Sequence, residues 1–515
     1  MEIELKFLLH ENKIDQFKKL IENDMFRAVR KPTLVLSNAY FDTPDNDLRA
    51  FDMGLRTRCS EDKNGQGWSE QTVKLAGKDI GGLHQRPEHN VRLSDVPQTK
   101  CFADLTQFDP TIWPANFETE KLQRKLIKQF ETVFSRNIWH ITMPSGTLIE
   151  CVLDEGYVES GENKTPICEI ELELVKGNVA DIFNLAQFLV VHLPLRFGSL
   201  SKAARGYMLV NDKTLESYNL EAINVEHDVT VEHGMIQMLS EGLKFVQHHE
   251  MVFVEQHSLK ALRRTIDGFS QLIHILQLFS KVLPVASAEQ LIKGFKHCRK
   301  TLSWVDIFYQ FKQLTNRPTP YRNKIKDSES LSELLRRQMT HEEQMADASA
   351  FFQSPEYNLL ILNLINWLTH KQWRTELSLN QISELNQPIR RISEQWLDKA
   401  WSKLKPQLLE LKDVTQSSYI EKLYWPLATE LLTGLCVGRL YDTEDWHSFR
   451  NPLVDLLIGC EELMLLNTLE KLVDENLATH PKLEVHKSWI ASKQQSLLIA
   501  VSASTKNCCK LKPYW

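Results

Sequence analysis

From the second residue onward, charged and apolar positions alternate along Glu2-Ile3-Glu4-Leu5-Lys6-Phe7. In an extended strand this places Glu2, Glu4 and Lys6 on one face and Ile3, Leu5 and Phe7 on the other. The same period of two returns in Ile167 to Val175, with Glu169, Glu171 and Glu173 opposite Ile170, Leu172 and Leu174. Further alternating stretches are Val35 to Phe41, Gly54 to Cys59, Trp68 to Leu75, Leu83 to Leu93, Phe130 to Ile141 and Gly146 to Val158. Asn12 to Ile21 and Ala180 to Leu193 have helical spacing instead. Strands outnumber helices and their connections suit hairpins, which predicts an antiparallel sheet able to close into a barrel.

The pattern changes after Leu209. Residues 211–225 are polar and irregular and read as a linker, and beyond them helical spacing takes over. From His257 to Phe279, Leu259, Leu262, Ile266, Phe269 and Ile273 form an apolar stripe, with His257, Lys260 and Arg264 on the opposite side. Lys293, Lys296 and Lys300 repeat such a basic stripe on a helix that opens with a Ser287/Gln290 capping box. Solvated helix faces account for these stripes equally well. The expected fold is therefore α+β: an N-terminal antiparallel β-barrel with flanking helices, then an all-α helical bundle.

A chain of 515 residues fits two or three domains, and a net charge of −6 argues against reliance on nucleic acid. The nine cysteines show no metal-ligand spacing. No apolar run reaches membrane-spanning length, and Glu2 and Glu4 open the chain where a secretory signal would be basic and then apolar. These features predict a cytoplasmic protein with reduced thiols and no membrane partner.

What the strands carry changes the picture further. A barrel with its charged faces inward would gather Glu2, Glu4, Asp154, Glu169 and Glu171 with Lys6, Arg56, Arg58, Lys74, Arg136 and Lys202. Unpaired buried charge is costly, so such an interior must be internally compensated or filled by a ligand. Carboxylates suit a hard divalent cation, and guanidinium forks suit phosphate oxygens. Both together describe a metal-bound polyphosphate. Arg86 and Glu88 are explained equally well by a salt bridge to one another. No Gly-rich phosphate loop is present.

Glu2-Ile3-Glu4-Leu5-Lys6 resembles the ExExK signature of the CYTH family, the triphosphate tunnel metalloenzymes. Companion motifs follow in that family's order: Tyr40 to Pro44, Leu55 to Arg58, Val73-Lys74, Arg86-Pro87-Glu88, Arg136, Leu153-Asp154, Cys168 to Leu174 and Ser201-Lys202-Ala203. The resemblance implies an eight-stranded antiparallel tunnel over residues 1–210 that hydrolyses short polyphosphates with Mg²⁺ or Mn²⁺. By that likeness Glu2, Glu4, Asp154, Glu169 and Glu171 hold metal, and Lys6, Arg56, Arg58, Lys74, Arg136 and Lys202 clamp phosphate. Glu169 or Glu171 would take the proton of the attacking water, with Tyr40 either near the attacked phosphate or simply in the core.

Residues 226–510 resemble the CHAD domain, a helical domain of two repeats with a basic face associated with polyphosphate. The likeness rests on His257 to Lys260 with Arg263-Arg264, on Arg299 to Trp304, and on His447 to Arg450. Lys260 stands where Arg is usual, Val454 and Leu457 replace basic positions, and Pro452 is expected to interrupt a helix start. His257, Lys260 and Arg264 are the candidate contacts for long-chain polyphosphate. The expected reaction is hydrolysis of inorganic triphosphate (tripolyphosphate) to pyrophosphate and phosphate. The alternatives are a thiamine-triphosphatase, a class IV adenylate cyclase, or a polyphosphate-binding adaptor with an inert tunnel. Oligomeric state is not legible.

Overall fold

The structure is a computed structural model that describes residues 2–23, 27–97, 101–315, 321–326, 328–338, 342–411 and 420–515. Met1, first residue of the opening strand read from the sequence, lies outside them. The chain divides into two compact units, Met1–Glu216 with Ala350–His370, and Ser217–Ser349 with Lys371–Trp515.

The first unit is built on strands β1 (Glu2–Leu8), β2 (Arg27–Arg30), β3 (Leu34–Asp42), β4 (Gly54–Glu61), β5 (Gly67–Lys74), β6 (Lys78–Ile80), β7 (Leu83–Arg86), β8 (Glu88–Ser94), β9 (Ile127–Thr142), β10 (Leu148–Ser160), β11 (Asn163–Lys176) and β12 (Arg196–Phe197). They form one antiparallel sheet in the order β6-β7-β1-β11-β10-β9-β3-β4-β5-β8, with β12 added beside β1 and β2 beside β9. The strands β7 and β8 are halves of one run broken at Pro87. The first half pairs with β1 and the second with β5, so the sheet curls until its two ends are joined by the same stretch of chain. Proline has no N–H to give a ladder and belongs at such a break; its carbonyl still accepts from Leu75 N at 3.0 Å. Counting β7 and β8 together, eight long segments surround the interior, as expected, and the short β2, β6 and β12 are additions that the alternation did not reveal.

The period of two decides which face meets what. Phe41, Leu55 and Val73 point outward and are covered by Leu105, Phe108, Leu122 and Leu126 from the connection before β9. Ile170 and Leu172, on the outward face of β11, are fully buried, as are Ile182, Leu185 and Leu189 of the helix Ala180–His192. The helix Pro355–Thr369 packs on that helix, and Asn358 Nδ2 donates to Leu195 O at 2.9 Å, which explains why residues 350–370 group with the first unit. The helix Lys202–Val210 is capped by Ser201, whose hydroxyl accepts from Ala204 N. It lies so close to β9 that a Cβ on Gly206 would stand 2.1 Å from the ring of Phe130. That approach delivers Lys202 to the interior.

The second unit is helical among its described residues. The helix Val231–Gln256 starts on Thr230, and its Glu232 accepts from Trp373 Nε1 at 3.0 Å and from Arg374 and Lys371. His257 takes a left-handed conformation (φ 50°) between that helix and the next, Leu259–Leu278, capped by Ser258. A helix running from His257 to Phe279 is thus corrected: it starts two residues later, because the Ser258 hydroxyl satisfies Ala261 N. The Ser287/Gln290 capping box is also corrected. The helix Val285–Thr301 begins before Ser287, on Pro284, and Ser287 Oγ turns back to Pro284 O at 3.4 Å. Pro452 does not interrupt a helix start either. The helix Thr443–Asn476 begins on Asp442, whose carboxylate accepts from Glu444 N and Asp445 N. It passes through Pro452 because the fully buried Leu453, Leu456, Cys460 and Leu463 pack it along its length. No described helix is long and apolar enough to cross a membrane.

Candidate functional site

In an antiparallel ladder, directly opposed residues share a face. Three rows of such residues therefore line the inside of the curl. The first holds Glu169, Asp154 and Arg136 on β11, β10 and β9, and the second holds Lys6 beside Glu171. The third runs His84, Glu4, Glu173, Glu150 and His140 across five strands. On the far side, Tyr40 opposes Arg56, Asn38 opposes Arg58, and Lys74 opposes Glu88.

The first two rows knit into one buried ionic network. Lys6 Nζ stands 2.9 Å from Glu171 and 3.3 Å from Glu169. A Cβ on the neighbouring Gly198 would lie 2.7 Å from the Lys6 stem, so glycine leaves that side chain its room. Lys202 Nζ reaches Asp154 at 2.6 Å and Glu171 at 3.0 Å, and also pairs with Glu169. Arg136 binds Asp154 through two parallel bonds of 2.7 Å and reaches Glu171 at 2.8 Å. Arg205 completes the set on Glu169. Burial by itself would raise the carboxyls of Glu169 and Glu171. The cations around them win, holding Glu169 at about 2 and Glu171 well below the usual range.

Asp154, Glu169 and Glu171 each offer an oxygen, all within 4.8 Å of one another, an oxygen-only set of the kind a hard divalent ion takes. In this arrangement four cationic side chains already neutralise these three carboxylates.

On the opposite wall the cations are less well matched. Arg58 donates Nε to Asn38 Oδ1 at 2.7 Å and makes no ion pair among the described residues. Burial, and the nearby Arg56 and Arg136, push its guanidinium down to about 10. Arg56 lies 3.9 Å from Glu88 and leaves Nε unpartnered. Tyr40, buried and stacked on Phe130 at 4.6 Å, stands directly opposite Arg56. Burial would raise its phenol, but Arg56, Arg58 and Lys202 outweigh that and lower it. Lys74 Nζ sits 2.7 Å from Glu2 and 3.1 Å from Glu88.

Every tunnel residue singled out in the sequence is on this inner face. Glu88 binds Lys74 and approaches Arg56, while Arg86 approaches Asp52 at 3.8 Å, so the two do not form the mutual salt bridge considered above. Arg205 and Asn38 were missed. The i, i+3 spacing of Lys202 and Arg205 on one helix was the available signal for Arg205; nothing local distinguishes Asn38. In the helical unit Lys260 and His257 are exposed, and Arg264 Nη1 is held by Asp267 at 2.8 Å. His257, lying before the helix, does not share a helical face with the other two.

Residues 1–207 match the CYTH domain family. The inorganic triphosphatase of Haemophilus influenzae is 35% identical over 194 residues, covering 38% of this chain and 51% of the relative. The chain thus spans about half the length of that curated relative. Among solved structures, the CHAD domain from the plant Ricinus communis is 15% identical, covering 57% of this chain and 97% of its own, with a TM-score of 0.42. The PH1819 protein from Pyrococcus horikoshii OT3 is 21% identical, covering 36% and 84%, with a TM-score of 0.23.

Proposed function

We propose that the first unit is a metal-dependent phosphohydrolase that cleaves inorganic triphosphate to pyrophosphate and phosphate. The observation that carries this reading is the Arg56/Arg58 pair: half-buried guanidiniums without adequate carboxylate partners, facing a wall rich in carboxylates. An anion of several phosphates supplies the negative charge that the arginine wall lacks, and an accompanying cation would balance the opposite carboxylates once Lys6, Arg136 and Lys202 engage the phosphates. The likeness to an inorganic triphosphatase supports the same substrate.

Glu2, Glu4, Asp154, Glu169 and Glu171 are the residues that would hold Mg²⁺ or Mn²⁺, and their oxygen donors fit such an ion. The ion, when bound, neutralises phosphate oxygens and makes water a better nucleophile. Arg56, Arg58 and Lys74 bind one end of the phosphate chain and stabilise charge as it moves to the leaving group. Lys6, Arg136 and Lys202 turn from their carboxylates to the entering phosphates. That frees carboxylate oxygens of Glu169 and Glu171, one of which accepts the proton of the attacking water. Tyr40, directly opposite Arg56, orients that guanidinium. All nine cysteines are free thiols, in keeping with a cytoplasmic enzyme. Long-chain polyphosphate at His257, Lys260 and Arg264 extends this reading to the helical unit.

The test is phosphate release from tripolyphosphate, ATP and thiamine triphosphate, each with Mg²⁺ or Mn²⁺. Fastest turnover is expected on tripolyphosphate. Preferred release from thiamine triphosphate, or cyclic AMP formed from ATP, would replace the inorganic substrate, and no turnover of any would defeat the enzymatic reading.

A further inference from the structure

Asn38 sits in the middle of β3 and is fully buried, as is Thr132 opposite it on β9. On its other side Asn38 faces Arg58 of β4. Its amide spans the two: Nδ2 donates to Thr132 Oγ1 at 2.8 Å, and Oδ1 accepts from Arg58 Nε at 2.7 Å. The amide must face this way, because a guanidinium only donates and needs the oxygen turned toward it. Among the described residues neither terminal nitrogen of Arg58 has a hydrogen-bond or ion-pair partner, and Glu70, opposite Arg58 on β5, makes no ion pair with it.

Arg136 is held differently. Asp154, directly opposed on β10, binds it through two parallel bonds that take up Nε and Nη2 and match its charge. A carboxylate at position 38 would have almost the shape of the amide, and the Thr132 hydroxyl could turn to donate to it, so shape alone does not call for asparagine. What the amide changes is charge. A neutral acceptor fixes the guanidinium through Nε and leaves the end-on fork, Nη1 and Nη2, with its positive charge open to a second partner; an aspartate would cancel that charge. Countercharge is how this unit holds Lys6 and Lys202. An amide in its place at Arg58 marks a guanidinium kept for an anion from outside.

We propose that Asn38, anchored by Thr132, is a positioning residue that aims the Nη1/Nη2 fork of Arg58 at the phosphate chain and, being neutral, leaves the guanidinium its charge. The relay runs from Thr132 through Asn38 to Arg58, across β9, β3 and β4, and moves no proton. Asn38 acts through Arg58 and touches no substrate. The assignment rests on reading Arg58 as a phosphate ligand, but binding can be measured apart from turnover.

Tripolyphosphate is titrated by calorimetry into the full chain in EDTA, which holds off metal-dependent turnover, and steady-state phosphate release is measured separately with Mg²⁺. Asn38→Asp should weaken binding about ten- to hundredfold, the scale of a charge-assisted hydrogen bond lost to an internal ion pair. It should raise KM more than it lowers kcat, while the melting temperature holds or rises. A merely structural asparagine would give the opposite, a lower melting temperature with the affinity of the folded protein unchanged. Thr132→Val, which frees the amide without adding charge, should weaken binding about fivefold. In an Arg58→Ala background Asn38→Asp should cost little further, since the two side chains act as one unit. Unchanged affinity in Asn38→Asp or in Thr132→Val, equal losses with and without Arg58, or no binding by the wild type overturns the assignment. Tripolyphosphate turnover with affinity untouched by Asn38→Asp would leave the function standing and remove this role; affinity weakened by Asn38→Asp with no turnover in the wild type would do the reverse.

Discussion

The two units differ in how they treat most of their deeply buried ionisable groups. In the first, Lys6, Arg136, Lys202, Asp154, Glu169 and Glu171 are buried or nearly so, and each pairs with more than one opposite charge. In the helical unit Glu232 is ion-paired with Arg374 and Lys371, but two other deeply buried groups stand without countercharge. Glu430 is 3% exposed with Oε2 unpartnered, and burial raises its carboxyl to about 8; His274, bonded to Thr433 at 3.0 Å, is driven down to about 4. These side chains are neutral near pH 7 and serve as core. Replacing a buried ion pair by hydrocarbon is often neutral or stabilising, so a unit that keeps a whole inner face charged does so for a ligand.

The contrast can be broken first at Lys202. Lys202→Met removes the cation that pairs with all three of Asp154, Glu169 and Glu171 in a buried site, and a loss of about 3–5 kcal/mol is expected on urea unfolding, together with loss of turnover. An unchanged unfolding midpoint would mean that the network is more hydrated than its burial suggests. Arg58→Ala should separate function from stability. Phosphate release is expected to fall by about 10³-fold, the scale of a transition-state arginine. The melting temperature should hold or rise, since a half-buried guanidinium without a carboxylate is removed.

Glu430 provides the test in the helical unit. Its carboxyl is higher in the folded state than in the unfolded chain, so between about pH 4.5 and pH 8 the native state keeps a proton that the unfolded state releases. Stability contributed by this group is present at low pH and declines through that window, by up to about 1.4 kcal/mol per pH unit. Hydrogen exchange of the helix Ile420–Val437, corrected for intrinsic rates, should show this decline in the wild type. Glu430→Gln should abolish it.

The strands of the first unit were legible because alternation survives in linear sequence: Glu2 to Phe7 and Glu169 to Leu174 announce their faces without reference to any neighbour. The tunnel residues named from the sequence share an inner wall for that reason. The helical unit was less legible, since its caps are set by single hydroxyls and by packing. Ser258 starts a helix that was read two residues too early, Pro284 displaces Ser287, and the buried leucines after Pro452 carry a helix past a residue that would otherwise stop it.

Side-chain period is a local property, so the amino-acid order alone determined which residues of each strand share a face and where strand texture yields to helix. Pairing partners are another matter. The run broken at Pro87 joins β1 to β5, and Glu4 meets Glu173, Glu150 meets His140, and Arg205 meets Glu169 across distant stretches of chain. Register between strands depends on which edges the whole sheet leaves free and on how far it curls. For that reason only the tertiary structure could decide which cations were already matched, which were not, and that two histidines bracket the carboxylates.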